Sequence, residues 1–178
     1  LRKIIGRAAK AGARQIGQPG VADPTRINSA VDAQLASLVT NASQTTKDAI
    51  AVIIREGVLS GETIAEMQAR IQRSAAFGPS RALLIARTES TRSVNAGSIT
   101  AYQAAIAAGV DLTQQWLAAR DSHVREAHFQ LDGQEVAVGG LFTVPDGAHA
   151  GDTARWPGDF DSPAMSCNCR CTVLPIVA

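Results

Sequence analysis

The stretch RALLIARTESTRSVNAGSITAYQAAIAAG, residues 81–109, constrains the fold more than any other part of the chain. It lacks proline, is rich in alanine, the strongest helix former, and runs into Gly109, which can take the left-handed conformation that ends a helix. One long helix from about Ser80 to Ala108 is therefore predicted. Leu84, Thr88, Thr91, Asn95, Ser98 and Tyr102 follow one another at steps of four and three, which places them on one face. A face bracketed by Leu and Tyr is expected to be partly buried, yet its middle is polar. Buried polar groups persist only when each finds a hydrogen-bond partner. The helix is thus expected to cradle irregular backbone from elsewhere in the chain. The alternative is a solvated Ser/Thr face.

Upstream, GQPGVADP at residues 17–24 holds two Gly and two Pro and reads as a linker. Ile27, Val31, Leu35, Leu38 and Ala42 then recur helically, and Ile50, Ile53 and Ile54 continue the pattern. EGVLSGET (56–63) reads as a turn, with Ser60 or Thr63 as cap for a helix through Ile64, Met67, Ile71 and Ala75. FGPS (77–80) stops that helix, and Ser80 is a candidate cap for the long one. After Gly109 the pattern changes. DLTQQWLAA reads as a strand, DSHVREAHFQLDGQ as a short helix or turn closing on Asp132-Gly133, and EVAVGG and LFTV as short β-prone runs. Residues 145–163 are expected to form a long loop, and CRCTVLPIVA a terminal strand whose Pro175 marks an edge or an end. The fold class is α+β. A basic arm and linker occupy 1–24. The domain occupies 25–178, helical over 25–109 and β-rich over 110–178.

Charge is distributed unevenly. Residues 1–110 carry 13 Lys/Arg against 7 Asp/Glu, and residues 111–178 carry 4 against 9. Arg2, Lys3, Arg7, Lys10 and Arg14 form an arm with no acid among the first 14 residues. Such an arm suits phosphates or an acidic partner, or is simply solvated. No apolar run approaches the roughly 20 residues of a membrane span, so no membrane partner is expected. With 46% apolar residues but few aromatics, the core must be built mainly from Ala, Val, Leu and Ile. The chain starts at Leu1 rather than Met, as expected for a fragment or a processed product.

All three cysteines, Cys167, Cys169 and Cys171, lie within five residues. On a strand they would share one face, with Asn168 and Arg170 on the other. A disulfide at this spacing strains the required geometry. Structural zinc usually takes C-x₂₋₄-C pairs and four ligands; the fourth here would be His128, His123 or His149. The simpler expectation is reduced cysteines packed as compact hydrophobes in a reducing assembly environment, with no metal and no cofactor. In RDSHVREAHFQLDG, Asp121 could cap a helix and pair with Arg125 four residues on. His128 could be a general base, the core of a hydrolase reading assisted by Asp121 or Arg125. No G-x-S-x-G or papain-like cysteine context accompanies it. Glu89 and Arg92 are expected to pair on the surface of the long helix, with Arg87 on nearly the opposite side from Glu89. Neither phosphate-loop pattern occurs, nor does a carboxylate cluster for two-metal chemistry. A zinc-stabilised nucleic-acid module therefore stands as one alternative and a His128 hydrolase as another.

Taken in order, LLIARTESTRSVNAGSITAY, QQWLAARDSHVREAHFQLDGQEV and WPGDFDSPAMSCNCRCTVLP resemble the phage Mu protein F-like minor head proteins, also known as head morphogenesis proteins. The resemblance spans roughly residues 45–175. Arg87, Thr88, Glu89 and Asn95 match the family's helix motif. Trp116, Asp121, Arg125, His128, Leu131, Asp132 and Gly133 match its middle motif. Pro157, Gly158, Asp159, Asn168, Cys169, Arg170 and Cys171 match its end. The resemblance implies a low-copy protein of the virion head, present in the host cytoplasm during assembly, that binds and does not catalyse. It implies the portal, other head proteins and phage DNA as partners. Some members continue into a toxin domain; with its end at Ala178, this chain is expected to carry none. Under this reading Arg87, Asn95, Arg125, His128 and Asn168 satisfy buried backbone where the 145–163 loop and the terminal strand cross the long helix. Asn168 and Arg170 anchor the outer side of that strand.

Overall fold

The computed structural model describes residues 44–75 and 77–177. The arm residues Arg2, Lys3, Arg7, Lys10 and Arg14, the linker and the Ile27–Ala42 stripe lie outside the described residues. Three helices come first: α1 (Gln44–Ser60), α2 (Ile64–Ala75) and α3 (Pro79–Ala107). Then follow β1 (Leu112–Leu117), α4 (Glu126–Gln130), β2 (Glu135–Ala137) and β3 (Phe142–Thr143). A 3-10 turn (Gly147–His149), β4 (Thr153–Ala154), α5 (Pro163–Ser166) and β5 (Thr172–Val177) complete the chain. The α+β class is as expected, helical first and β-rich after. No helix among the described residues is long and apolar enough to cross a membrane.

The local signals explain most boundaries. Thr63 and Glu66 form a reciprocal capping box at α2: the Thr63 amide donates to Glu66 Oε2 at 2.6 Å, and the Glu66 amide to Thr63 Oγ1 at 3.3 Å. At α3 the expected Ser80 cap is replaced. Gly78 is the cap, Pro79 takes the first helical position, and Ser80 already lies inside. The proline's fixed φ and missing N–H suit that first position. The other end of α3 closes as the sequence predicts. Gly109 adopts φ +92°, its amide reaches Ile106 O, and the Val110 amide reaches Ala105 O, a Schellman ending.

The helices pack around Ile50, Ile54, Val58, Met67 and Ile71, which meet Ala82, Ile85 and Ala86 of α3. Arg70 of α2 ties this unit together from outside, bonding Glu62 at 2.7 Å and Glu56 of α1. The later half of α3 turns to a second core. There Tyr102 joins Trp116, Leu131, Phe142, Met165 and Val173. Trp116 sits at its centre, with Phe142 and Phe160 edge-on at 5.3 and 6.0 Å.

A three-stranded antiparallel sheet of order β2-β1-β5 covers this second core. Gln114 pairs with Pro175 and Trp116 with Val173. β5 is an edge strand, which is where a strand proline is tolerated. The 145–163 segment is less featureless than its composition suggests, because β4 within it pairs with β3, Phe142 opposite Ala154. Two-residue strands carry too little alternation to show in a sequence.

Candidate functional site

The polar stripe of α3 is buried, and Asn95 is its centre. The side chain is 1% exposed. Its Nδ2 lies 3.1 Å from Thr91 O, 3.2 Å from Pro157 O and 3.2 Å from Cys171 O. Its Oδ1 accepts the Val173 amide at 3.2 Å and the Thr172 hydroxyl at 3.1 Å. One side chain thus uses both its donors and its acceptor to join helix, loop and terminal strand. Around it the Thr88 hydroxyl accepts the Asn168 amide at 3.0 Å, and the Tyr102 hydroxyl donates to Val173 O at 3.2 Å. The expectation of a helix that cradles irregular backbone holds.

Its membership differs in detail. Arg87 is exposed and takes no part. Arg92 does that work instead, donating from Nε to Gly158 O at 2.7 Å. Gly158 has φ +94°, and a Cβ there would meet Arg92 Cβ at 3.3 Å, so only glycine fits this crossing comfortably. Glu89 and Arg92 do pair, at 3.4 Å, but inside the protein rather than on its surface: their side chains are 2% and 13% exposed. Burial pushes the Glu89 carboxyl up to about 7 against the opposing pull of Arg92. Its Oε2 has no hydrogen-bond partner among the described residues.

Arg125 donates to Cys167 O at 2.5 Å, so it does hold backbone. The expected Asp121–Arg125 pair and Asp121 cap do not form. α4 starts after Arg125, four residues beyond Asp121, and Asp121 faces Arg170 instead in a two-pronged ion pair of 2.5 and 2.6 Å. The Arg170 guanidinium, helped by the His123 amide, holds the Asp121 carboxyl below its ordinary range. Arg170 therefore anchors the outer side of the terminal ribbon as expected. Asn168 contributes through its backbone amide alone, with its side chain exposed and φ +55°. Asp132 accepts the Ala118 amide at 2.9 Å and Arg120 Nε at 2.8 Å, and Gly133 turns at φ +80° to donate to Trp116 O.

The cysteines do not share a strand face, because β5 begins only at Thr172 and the left-handed Asn168 breaks the extended run. Cys167 ends α5 and is half-buried, whereas Cys169 and Cys171 are both buried. Their sulfurs lie 3.5 and 3.6 Å from His128 Nδ1. His128, 1% exposed, thus meets two thiols and not the backbone it was expected to satisfy. Its ring stacks on Phe160 at 5.5 Å and meets the edge of Trp116 at 5.6 Å. Its Nε2 is buried without a hydrogen-bond partner among the described residues. Cys171 is held below the ordinary thiol range by the hydrogen bond from Cys169, with help from His128 and the Ala119 amide. Cys169 is pushed up by Cys171 and by burial. Among the described residues, these three are the group of His, Cys and carboxylate side chains able to converge on one metal ion. His123 and His149 lie elsewhere, against Ser122 and Asp152.

Gln114 was missed altogether. It is fully buried, donates to Arg155 O at 2.9 Å and Gly140 O at 3.3 Å, and accepts the Gly139 amide at 3.4 Å. Its position between Leu112 and Trp116 on the inward face of β1 was the available signal.

Residues 48–174 match the family model described as Phage Mu protein F like protein. The chain is 34% identical over 121 residues to the NAD(+)--arginine ADP-ribosyltransferase EFV of Enterococcus faecalis, covering 68% of this chain and 24% of that protein. It is 29% identical over 128 residues to the minor head protein GP7 of Bacillus phage SPP1, covering 72% of this chain and 40% of that protein. The chain thus spans less than half the length of either curated relative. No solved structure matches it. The matched stretch contains the whole junction built around Asn95 and the thiol–histidine cluster, and on that match the chain belongs to the phage Mu protein F-like family.

Proposed function

We propose that this chain is a minor component of a tailed-phage head that acts in assembly and in packaging or delivery of the genome, by binding and not by catalysis. The observation that carries the proposal is the family match over residues 48–174, reinforced by the relative named as a minor head protein. The use of the polar residues supports it. Asn95, Arg92, Arg125, Thr88 and Tyr102 are spent on the protein's own backbone, which suits a rigid docking module. The portal and other head proteins are the partners this reading names, with phage DNA as the target of the basic arm. The virion head is its final location, reached from the host cytoplasm. Copurification of heads with the tagged chain, followed by imaging of the tag, tests the reading. Signal at the portal vertex is expected. A protein absent from heads overturns it.

A second reading comes from the transferase relative, which is the more identical of the two. The stretch shared with it makes up only 24% of that protein and is shared with a head protein as well. We assign the common stretch to the head-module role. Incubation of the chain with NAD and arginine is expected to release no nicotinamide; steady turnover would reverse that assignment.

A further inference from the structure

We propose that His128, Cys169 and Cys171 form a binding site for a thiophilic metal ion, with zinc as the first candidate. The sequence spacing argued against it, because C-x-C is not the usual zinc pair. The folded geometry argues for it. With zinc–sulfur and zinc–nitrogen bonds of about 2.3 and 2.0–2.1 Å, a tetrahedral ion sets its sulfur and nitrogen ligands roughly 3.6 Å apart. The two sulfurs stand 3.5 and 3.6 Å from His128 Nδ1. All three ligand atoms lie within 4.8 Å of one another, and all three residues are buried.

Hydrogen-bond donors and a cation face the two sulfurs. The Ala119 amide hydrogen-bonds Cys171, the Cys171 amide hydrogen-bonds Cys169, and the Arg125 cation lies close enough to act on Cys169. The imidazole is held in place from two sides, by the face of Phe160 and the edge of Trp116. Packing therefore fixes the ring plane, a task that a hydrogen bond to the second ring nitrogen performs at most metal-binding histidines. The left-handed turn at Asn168 separates Cys167 from the other two, so the set is two sulfurs and one nitrogen. Among the described residues no fourth protein ligand joins them. A tetrahedral ion held there would take its fourth ligand from outside these three residues.

The test uses the full chain, purified under reducing conditions and loaded with zinc or cobalt(II). One equivalent of metal per chain is expected by elemental analysis. The cobalt form should show the strong visible bands of a tetrahedral thiolate-bound ion. Cys167→Ser should keep the spectrum, whereas Cys171→Ser and His128→Gln should lose it. The wild-type chain decides the matter even where a variant fails to fold. A folded, reduced wild-type chain with no cobalt spectrum overturns the proposal. So does a spectrum that survives Cys171→Ser or disappears with Cys167→Ser, and so does a Cys169–Cys171 disulfide in chain isolated without oxidant. None of these outcomes depends on whether the protein enters a phage head.

Discussion

α3 meets the rest of the molecule by two opposite means. Toward its start, Ala82, Ile85 and Ala86 present small apolar surfaces to Ile54, Met67 and Ile71 of the first two helices. Toward its middle and end, Thr88, Arg92, Asn95 and Tyr102 present hydrogen-bonding groups to loop and strand backbone. The first contact joins regular elements whose backbone groups are already paired with one another. The second joins short elements and irregular chain, whose carbonyls and amides would be buried unpaired without side chains to meet them. Apolar packing is proportional to area and forgiving of shape; a buried polar bond is lost outright when its partner goes.

The largest expected effect lies on the polar side. Asn95→Leu removes the partner of Pro157 O, Cys171 O and the Val173 amide at once. With about 1–3 kcal/mol for each buried group left unsatisfied, a loss of roughly 3–5 kcal/mol is expected in urea unfolding. A loss below about 1 kcal/mol would erase the contrast between the two kinds of contact.

Glu89 comes next, and its effect has a sign that depends on pH. Its folded carboxyl titrates near 7, above its ordinary value of 4.5, so the folded state holds a proton that the unfolded state has released. Stability therefore falls as pH rises from about 4.5 to about 7 and then levels off. Glu89→Gln should be nearly neutral at pH 4 and stabilising at pH 8, by on the order of 3 kcal/mol. Melting curves of both proteins across that range check it; parallel curves would place the charge elsewhere.

On the apolar side, Ile54→Val trims one methylene from a fully buried side chain. It should cost about 1 kcal/mol, several times less than the loss of Asn95. The smallest effect is expected at the rim. Arg170→Ala breaks an ion pair whose two side chains are 39% and 40% exposed. Its melting midpoint should shift less than that of Ile54→Val, because water and salt screen exposed pairs. A larger shift would show that the rim belongs with the buried junction.

The same contrast decided what could be read in advance. α3 was legible to within a residue at each end, because alanine content, the FGPS break and Gly109 are local signals, although Gly78 and not Ser80 is the cap. Its polar stripe was legible because Leu84 and Tyr102 bracket it at helical steps. The partners were not, since Asn95 meets groups 62, 76 and 78 residues away and no periodicity encodes such distances. Arg92 was assigned to its nearest acid for the same reason, although its stronger bond goes to Gly158, 66 residues on. The thiol–histidine cluster hid behind a wrong local assumption. Three alternate cysteines suggest one strand face, and only the left-handed Asn168 separates Cys167 from the pair that meets His128.

One consequence concerns the order of events during synthesis. β5 is at once the edge strand against β1, the wall that receives Asn95 and Tyr102, and the continuation of the segment that carries Cys169 and Cys171. A ribosome delivers that ribbon after every other described element. Until residues 169–177 clear the exit tunnel, Asn95, Tyr102 and His128 lack the partners that this last segment brings them, so the lobe's junction is completed only by its final described ribbon.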